Sequence, residues 1–230
     1  MASASFVSSA CDISTACNTS VSFTVPTVTA SQLIFVGVTL RQGNSPTVTP
    51  PAGFTGPLLT ASAGTIISAS VFYRVADGTE SSPCTFDFSA STRAAVITEI
   101  WDNIETACPF DVYSVATTGT TSSACCEFPI VNVTSASTAL TYFTGTASNP
   151  AITNDANLTE REEVTTLGGN RCQSWAGDEL QISSGNSACR VNTLEAAQRN
   201  ITFTVALKAA SVLVAAGVTT GRLQPMGIIF

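Results

Sequence analysis

Four carboxylates stand close together in the second half of this chain: Asp155, Glu160, Glu162 and Glu163. Paired carboxylates can cleave a glycosidic bond, one protonating the leaving group while the other attacks or activates water. The spacing argues against that use. On a strand, Glu160 and Glu162 share one face and Arg161 and Glu163 the other, which is how an exposed strand reads. Asp77-Gly78-Thr79-Glu80 and Asp178-Glu179 could offer oxygen ligands to calcium. The Asp-Gly turn needs no metal, because Asp bonds its own backbone and Gly accepts positive φ. Trp101, Trp175, Tyr73 and Tyr142 could line a sugar-binding surface. Their alternation along strands places them in the core or between sheets.

There is no histidine, so the commonest general base, metal ligand and triad partner is missing. The serines have no Gly-x-Ser-x-Gly elbow either. The expectation is therefore a non-enzymatic protein with no catalytic residue, no cofactor and no metal. Asn-x-Ser/Thr sequons at Asn18, Asn132, Asn157 and Asn200 are what chance supplies in a chain this rich in Ser and Thr.

Eight cysteines remain: Cys11, Cys17, Cys84, Cys108, Cys125, Cys126, Cys172 and Cys189. No Cys-x2–4-Cys knuckle suits zinc. Disulfides are expected ahead of buried free thiols. Local spacing favours Cys11 with Cys17, Cys172 with Cys189, and Cys108 with Cys125 or Cys126, leaving Cys84 for the remaining neighbour.

The elements that must carry these residues are strands. Val21–Val25 alternates with period two, and Leu33–Val38 is a continuous apolar run, the mark of a strand buried on both faces. Val71–Val75, Thr85–Phe88 and Ala94–Trp101 complete a first half. Phe128–Val133, Thr138–Gly145, Glu162–Leu167, Cys172–Asp178 and Ile201–Leu207 repeat the plan about one hundred residues later. Leu194–Arg199 reads as one short turn. The spacing predicts an all-β protein: a β-sandwich, jelly-roll-like, of two similar halves with extended N- and C-terminal arms. The boundaries are an N-terminal arm over 1–19, a sandwich over 20–208 with halves of about 20–105 and 106–208, and an apolar arm over 209–230. The assembly residues of that last arm are Val212, Leu213, Val214, Val218, Leu223, Ile228, Ile229 and Phe230. An apolar tail after a complete sandwich suits strand addition to a neighbouring subunit.

Composition bounds the partners. The charged fraction is 11% and the net charge −7, with Lys208 the one lysine and no run of basic residues. Phosphate neutralisation by a basic stripe is not expected, so neither nucleic acid nor an anionic membrane is an expected partner. The N-terminus lacks the basic and apolar regions of a secretory signal, which suits synthesis in the cytosol.

The turn Thr49-Pro50-Pro51-Ala52-Gly53-Phe54-Thr55, the strand Val71–Gly78 and the stretch Ala107–Val112 running into Ser114 and Gly119 carry a resemblance. Over about residues 20–208 the chain resembles the β-sandwich structural proteins, decoration or tail, of tailed bacteriophages. In that family a Pro-Pro-x-Gly-aromatic turn precedes a strand like Phe72–Ala76. A midpoint linker like Pro109–Asp111 then opens a second half, which closes on Ala-Leu as in Val205–Leu207. The resemblance implies a virion structural protein, made in host cytoplasm and exposed in the particle. A capsid decoration or cement protein comes first, bound to itself and to the major capsid protein as a homo-oligomer. The alternatives are a receptor- or glycan-binding domain of a tail fibre or adhesin, and a self-assembling filament or tube subunit. Disulfides formed after lysis would fit such a particle.

Overall fold

A computed structural model describes residues 3–41 and 46–211. Every regular element among them is a β-strand. The first half holds β1 (Ser5–Ile13), β2 (Asn18–Phe23), β3 (Leu33–Arg41), β4 (Val48–Thr49), β5 (Thr55–Ala63), β6 (Ile67–Val75) and β7 (Cys84–Asp102). The second holds β8 (Phe110–Thr117), β9 (Ser123–Phe128), β10 (Asn132–Val133), β11 (Thr138–Ala147), β12 (Ile152–Thr153), β13 (Thr159–Thr165), β14 (Cys172–Gln181), β15 (Gly185–Asn186), β16 (Arg190–Gln198) and β17 (Asn200–Leu207).

The two halves share one topology. Five antiparallel strands run β1-β7-β3-β6-β5 in the first and β8-β17-β11-β14-β13 in the second. A smaller sheet covers each: β2 and β4 flank the start of β7, while β9 and β12 flank β16. The long β7 crosses from the small sheet to the large one, a job split between β16 and β17 in the second half.

Each half thus closes its own small sandwich, and the two large sheets then stack face to face. Three cores result. One lies inside the first half, built on Phe23, Ile34, Val36, Val38, Phe72 and Phe86. One lies inside the second, on Phe128, Leu140, Tyr142 and Trp175. The largest lies between the halves, on Leu33, Phe35, Ile97, Trp101, Phe143 and Phe203. The two half-sheets pack on each other as expected, and each is also covered on its outer face by a smaller sheet. A two-layer sandwich would leave one face of each sheet in water. Four layers bury both faces of β3, β11 and β17, which is why these strands read as unbroken apolar or threonine-rich runs.

The contact between halves is pseudo-symmetric. Leu33 opposite Trp101 and Ala139 opposite Leu207 are equivalent rungs. Counting from them, Gly37 matches Phe143 and Thr39 matches Gly145. These matched positions touch. A Cβ on Gly37 would overlap the Phe143 ring, and one on Gly145 would lie 2.7 Å from Thr39 Oγ1. Glycine on one side makes room for the larger side chain on the other. The order of these contacts makes β3 and β11 run the same way, so both halves end at the same two poles.

Three expectations are refined. The expected arm over 1–19 holds a strand of the sheet: β1 pairs with β7 from Ser5 opposite Asp102 to Ile13 opposite Ala95. Its small polar residues suit a half-exposed edge strand and hide the alternation. Leu194–Arg199 is not a turn, because it lies mostly in β16 and is held by β9 and β12. At the C-terminus, Ala209 bridges Ile104 and Ala210 donates to Asn103, so 208–210 run along the linker between halves. The arm residues Val212, Leu213, Val214, Val218, Leu223, Ile228, Ile229 and Phe230 lie outside the described residues.

Candidate functional site

The structure disperses the densest acidic group. A bulge between Glu160 and Glu162 breaks the alternation of β13. Glu160, although exposed, accepts from Trp175 Nε1 at 3.2 Å and from Asn154. Arg161 and Glu162 instead both reach the first half. Arg161 lies 4.0 Å above the Phe6 ring, and Ser9 Oγ donates to Glu162 at 2.8 Å. Gln173 donates to Glu163 at 2.5 Å. Burial and the neighbouring Glu160 push the Glu163 carboxyl up. Asp155 accepts from Asn157 and Val191 and faces Arg190. Each carboxylate has a different partner, and no two of them converge on a shared cleft.

The turn acids are also committed. Thr79 donates to Asp77 through both its backbone N–H and its hydroxyl, and these bonds hold the Asp77 carboxyl below its usual value. Glu80 accepts from the N–H groups of Asp77 and Gly78, and Arg74 bridges both acids. Asp178 pairs with Arg161, and Glu179 with Arg190 and Tyr142. Among the described residues no group of three or more His, Cys, Asp or Glu could hold a metal ion.

One carboxyl was not singled out by the sequence. Glu99, on β7, points into the contact between halves and is 1% exposed. Thr141 of the other half donates to its Oε2 at 2.7 Å and Trp101 Nε1 at 3.2 Å, while Oε1 has no partner. Burial, the dominant cause, pushes its pKa up to about 7. The two hydrogen bonds and Arg161 act the other way. Glu99 can store a proton near neutrality, but it cannot meet a solute.

The four aromatics proposed for sugar binding belong to the packing. Trp101, Trp175 and Tyr142 are buried, and Tyr73 stacks edge-on to Phe110 at 4.8 Å. The expectation for the cysteines is corrected outright: all eight are free thiols. Cys125 and Cys126 are neighbours on β9, one exposed and one buried, because successive side chains leave opposite faces of a strand. Cys11 sits within β1, while Cys17 lies in the turn before β2. Cys172 is sealed between the halves, while exposed Cys189 precedes β16 in another sheet. Burial pushes the thiols of Cys126 and Cys172 up to about 12, so neither is a nucleophile at neutral pH.

What the structure does assemble is a cationic pole. The sequence has no basic run, yet Arg41, Arg93, Arg171 and Arg199 meet where β3 and β11 end. Arg41 is opposite Arg93 in the β3–β7 ladder. Arg93 reaches across to the other half, donating to the Leu167 carbonyl beside Gly168, and Arg171 Nε donates to the Gly168 carbonyl at 2.7 Å. Arg199 holds the rung equivalent to Arg93 and makes the reciprocal reach, packing over the Gly64 turn. Arg41 donates to Ile66 of that same turn at 2.9 Å. Burial lowers the Arg41 pKa, and the nearby Arg199 charge lowers it further. All four are satisfied by carbonyls at most; none forms an ion pair with a carboxylate among the described residues, whereas Arg74, Arg161 and Arg190 all do. A sequence signal existed: Arg93 and Arg199 each open the last strand segment of a half.

Two clefts among the described residues are small. One of about 240 Å³ lies beside the Glu179–Arg190 pair, bordered by Gln181, Ile182 and Asn186. Another of about 250 Å³ is bordered by Thr47, Thr60, Ser68, Ser70 and Phe72. Both are below the usual volume of small-molecule sites. The chain matches no family model, no curated protein and no solved structure.

Proposed function

We propose that this protein is a non-enzymatic structural subunit of a virion, a capsid decoration or cement protein that stabilises the shell from outside. The observation that carries the reading is the four-layer stack. Two jelly-roll-like units share a core between their large sheets, and Glu99, Arg161, Glu162 and Asp178 are turned into that contact. Groups that could do chemistry are used to hold the halves together as one block. The chain is rich in Ser and Thr and only 11% charged, a composition that suits a surface solvated by hydroxyls rather than by ions. The apolar segment 212–230 is the natural means of attachment, since an ordinary interface needs only about 800 Å² from each partner. The partners would be the major capsid protein and further copies of this chain.

The test is copy number and occupancy. Quantitative mass spectrometry of purified particles should find as many copies as there are shell sites, and a handful would place the protein at a tail tip instead. A chain lacking 212–230 should lose occupancy, and unchanged occupancy would refute the arm. A second reading, a self-assembling filament subunit, is favoured by the arginines gathered at one pole without carboxylate partners among the described residues.

A further inference from the structure

The two poles of the molecule carry opposite charge. β3 runs from Leu33, opposite Trp101 and Val75, to Arg41, opposite Arg93 and Ile67, a span of about 26 Å at the usual strand rise. Arg41, Arg93, Arg171 and Arg199 gather at its far end. At the near end lie the linker and the β7 and β8 termini, which carry Asp102, Glu105 and Asp111. These three accept hydrogen bonds only from Asn103, Ala107 and Thr134, and none forms an ion pair among the described residues. Lys208, whose backbone carbonyl accepts from Glu105 N–H, is the only lysine and likewise forms no ion pair there.

We infer that the arginine pole is a docking surface for the acidic pole of a second copy of this chain, so that copies stack head to tail along the strand direction. Charge complementarity selects this occupant. Outside the four arginines the chain holds sixteen acidic residues against five basic ones, so the acidic partner nearest to hand is another copy. Arg199 and Arg171 supply the free donors: among the described residues the Arg199 guanidinium donates to no acceptor, and the Arg171 guanidinium uses Nε alone. A guanidinium can bind a carboxylate through two parallel bonds, which fixes register as well as attraction. A contact between different faces of identical subunits is heterologous, and unless its rotation closes a ring it stays open at both ends and propagates as a row. The inference deepens the structural-subunit reading by naming one partner, and it does not need residues 212–230.

The experiment measures the mass of the full chain by light scattering and sedimentation as salt rises from about 0.01 M to about 1 M, which shortens the screening length from about 30 Å to about 3 Å. The expected result is a concentration-dependent ladder of oligomers at low salt and monomer at high salt. Arg171→Glu with Arg199→Glu should abolish the ladder. Asp102→Arg with Glu105→Arg should abolish it too. An equimolar mixture of the two variants should restore it, since each then offers the pole the other lacks. That rescue also guards against variants that merely misfold. A wild-type chain that stays monomeric at every salt concentration would overturn the inference. So would oligomers indifferent to salt and to both reversals, or a chain that binds heparin but not itself. Abundance on particles without self-association would leave the structural reading standing and remove this one; stacking with few copies per particle would do the reverse.

Discussion

The two halves have the same strand order but different interiors. In the first, the face of β3 turned away from the partner half is Ile34, Val36, Val38 and Leu40, packed against Phe72 and Phe86. At equivalent rungs the second half has Leu140, Tyr142, Thr144 and Thr146. Its apolar cluster is smaller, and Glu179, Arg190 and Asp155 complete it as an ionic network around the Tyr142 hydroxyl, which donates to Glu179 at 2.5 Å. Burial and this carboxylate push the Tyr142 pKa far up. Thr144 and Thr204 leave buried hydroxyl oxygens without partners, each a cost of roughly 1–3 kcal/mol. One topology therefore tolerates a dry core and a polar one. The polar half is expected to open before the dry one.

The harshest way to break this comparison is through the shared contact. Gly37→Leu drives a side chain into the Phe143 ring, and overpacking of this kind costs about 3 kcal/mol or more. Urea denaturation should show both halves destabilised together. Pairing the change with Phe143→Ala should cost less than the two separate effects added, because the sites touch. Additive costs would mean the halves do not read each other there.

The polar half offers the next test. Arg190→Ala strands Glu179 in a half-closed site and should cost about 3–5 kcal/mol. Replacing the trio with Arg190→Met, Glu179→Leu and Tyr142→Phe should recover most of that loss or exceed wild type by about 1–4 kcal/mol. If the triple variant is as weak as the single one, the network supplies more than charge balance.

A third test uses pH. The Glu99 carboxyl is raised from 4.5 to about 7 in the folded protein, so the fold binds its proton more tightly than the unfolded chain. Its favourable contribution is complete below pH 4.5 and is lost as pH rises through 7. The loss amounts to about 3 kcal/mol at most. Glu163, also raised, adds in the same direction. Stability of wild type should fall between pH 4.5 and 7.5, and Glu99→Gln should flatten the slope. An unchanged slope in the variant would assign the effect to other groups.

The smallest effect is a rate. Exposed Cys17, Cys108, Cys125 and Cys189 should label quickly with a thiol reagent, and buried Cys126 and Cys172 slowly. If the polar half opens first, Cys126 should label at urea concentrations where far-ultraviolet circular dichroism is still largely native. Simultaneous labelling of Cys126 and Cys172 with global unfolding would mean the halves open as one.

Much of the fold is legible in the residues, unevenly. β3 and β17 announce themselves because both faces are apolar or β-branched, and β6 does so through Val71-Phe72-Tyr73. β1 does not, since an edge strand of Ser and Ala needs no alternation. β16 hides behind Leu194-Glu195-Ala196-Ala197, which are good helix formers overridden by pairing with β9 and β12. β8 begins at Phe110, inside a stretch that reads as a linker. Of the candidate chemistry, the Asp77 turn is legible because its bonds are local. Glu99 and the arginine pole are not, because their partners are up to some hundred and sixty residues away.

By itself the amino-acid sequence determined the all-β class, the two similar halves and the strands with two buried faces. Alternation and β-branching act over a few residues, and that is where they can be read. Only the tertiary structure decided what covers each apolar face. The answer was the other half, through a contact that gathers Arg41, Arg93, Arg171 and Arg199 at one pole and seals Glu99 within. An apolar face specifies that it must be covered but carries no record of its partner. That choice rests on side-chain fit such as Gly37 against Phe143, which exists only once the sheets have stacked.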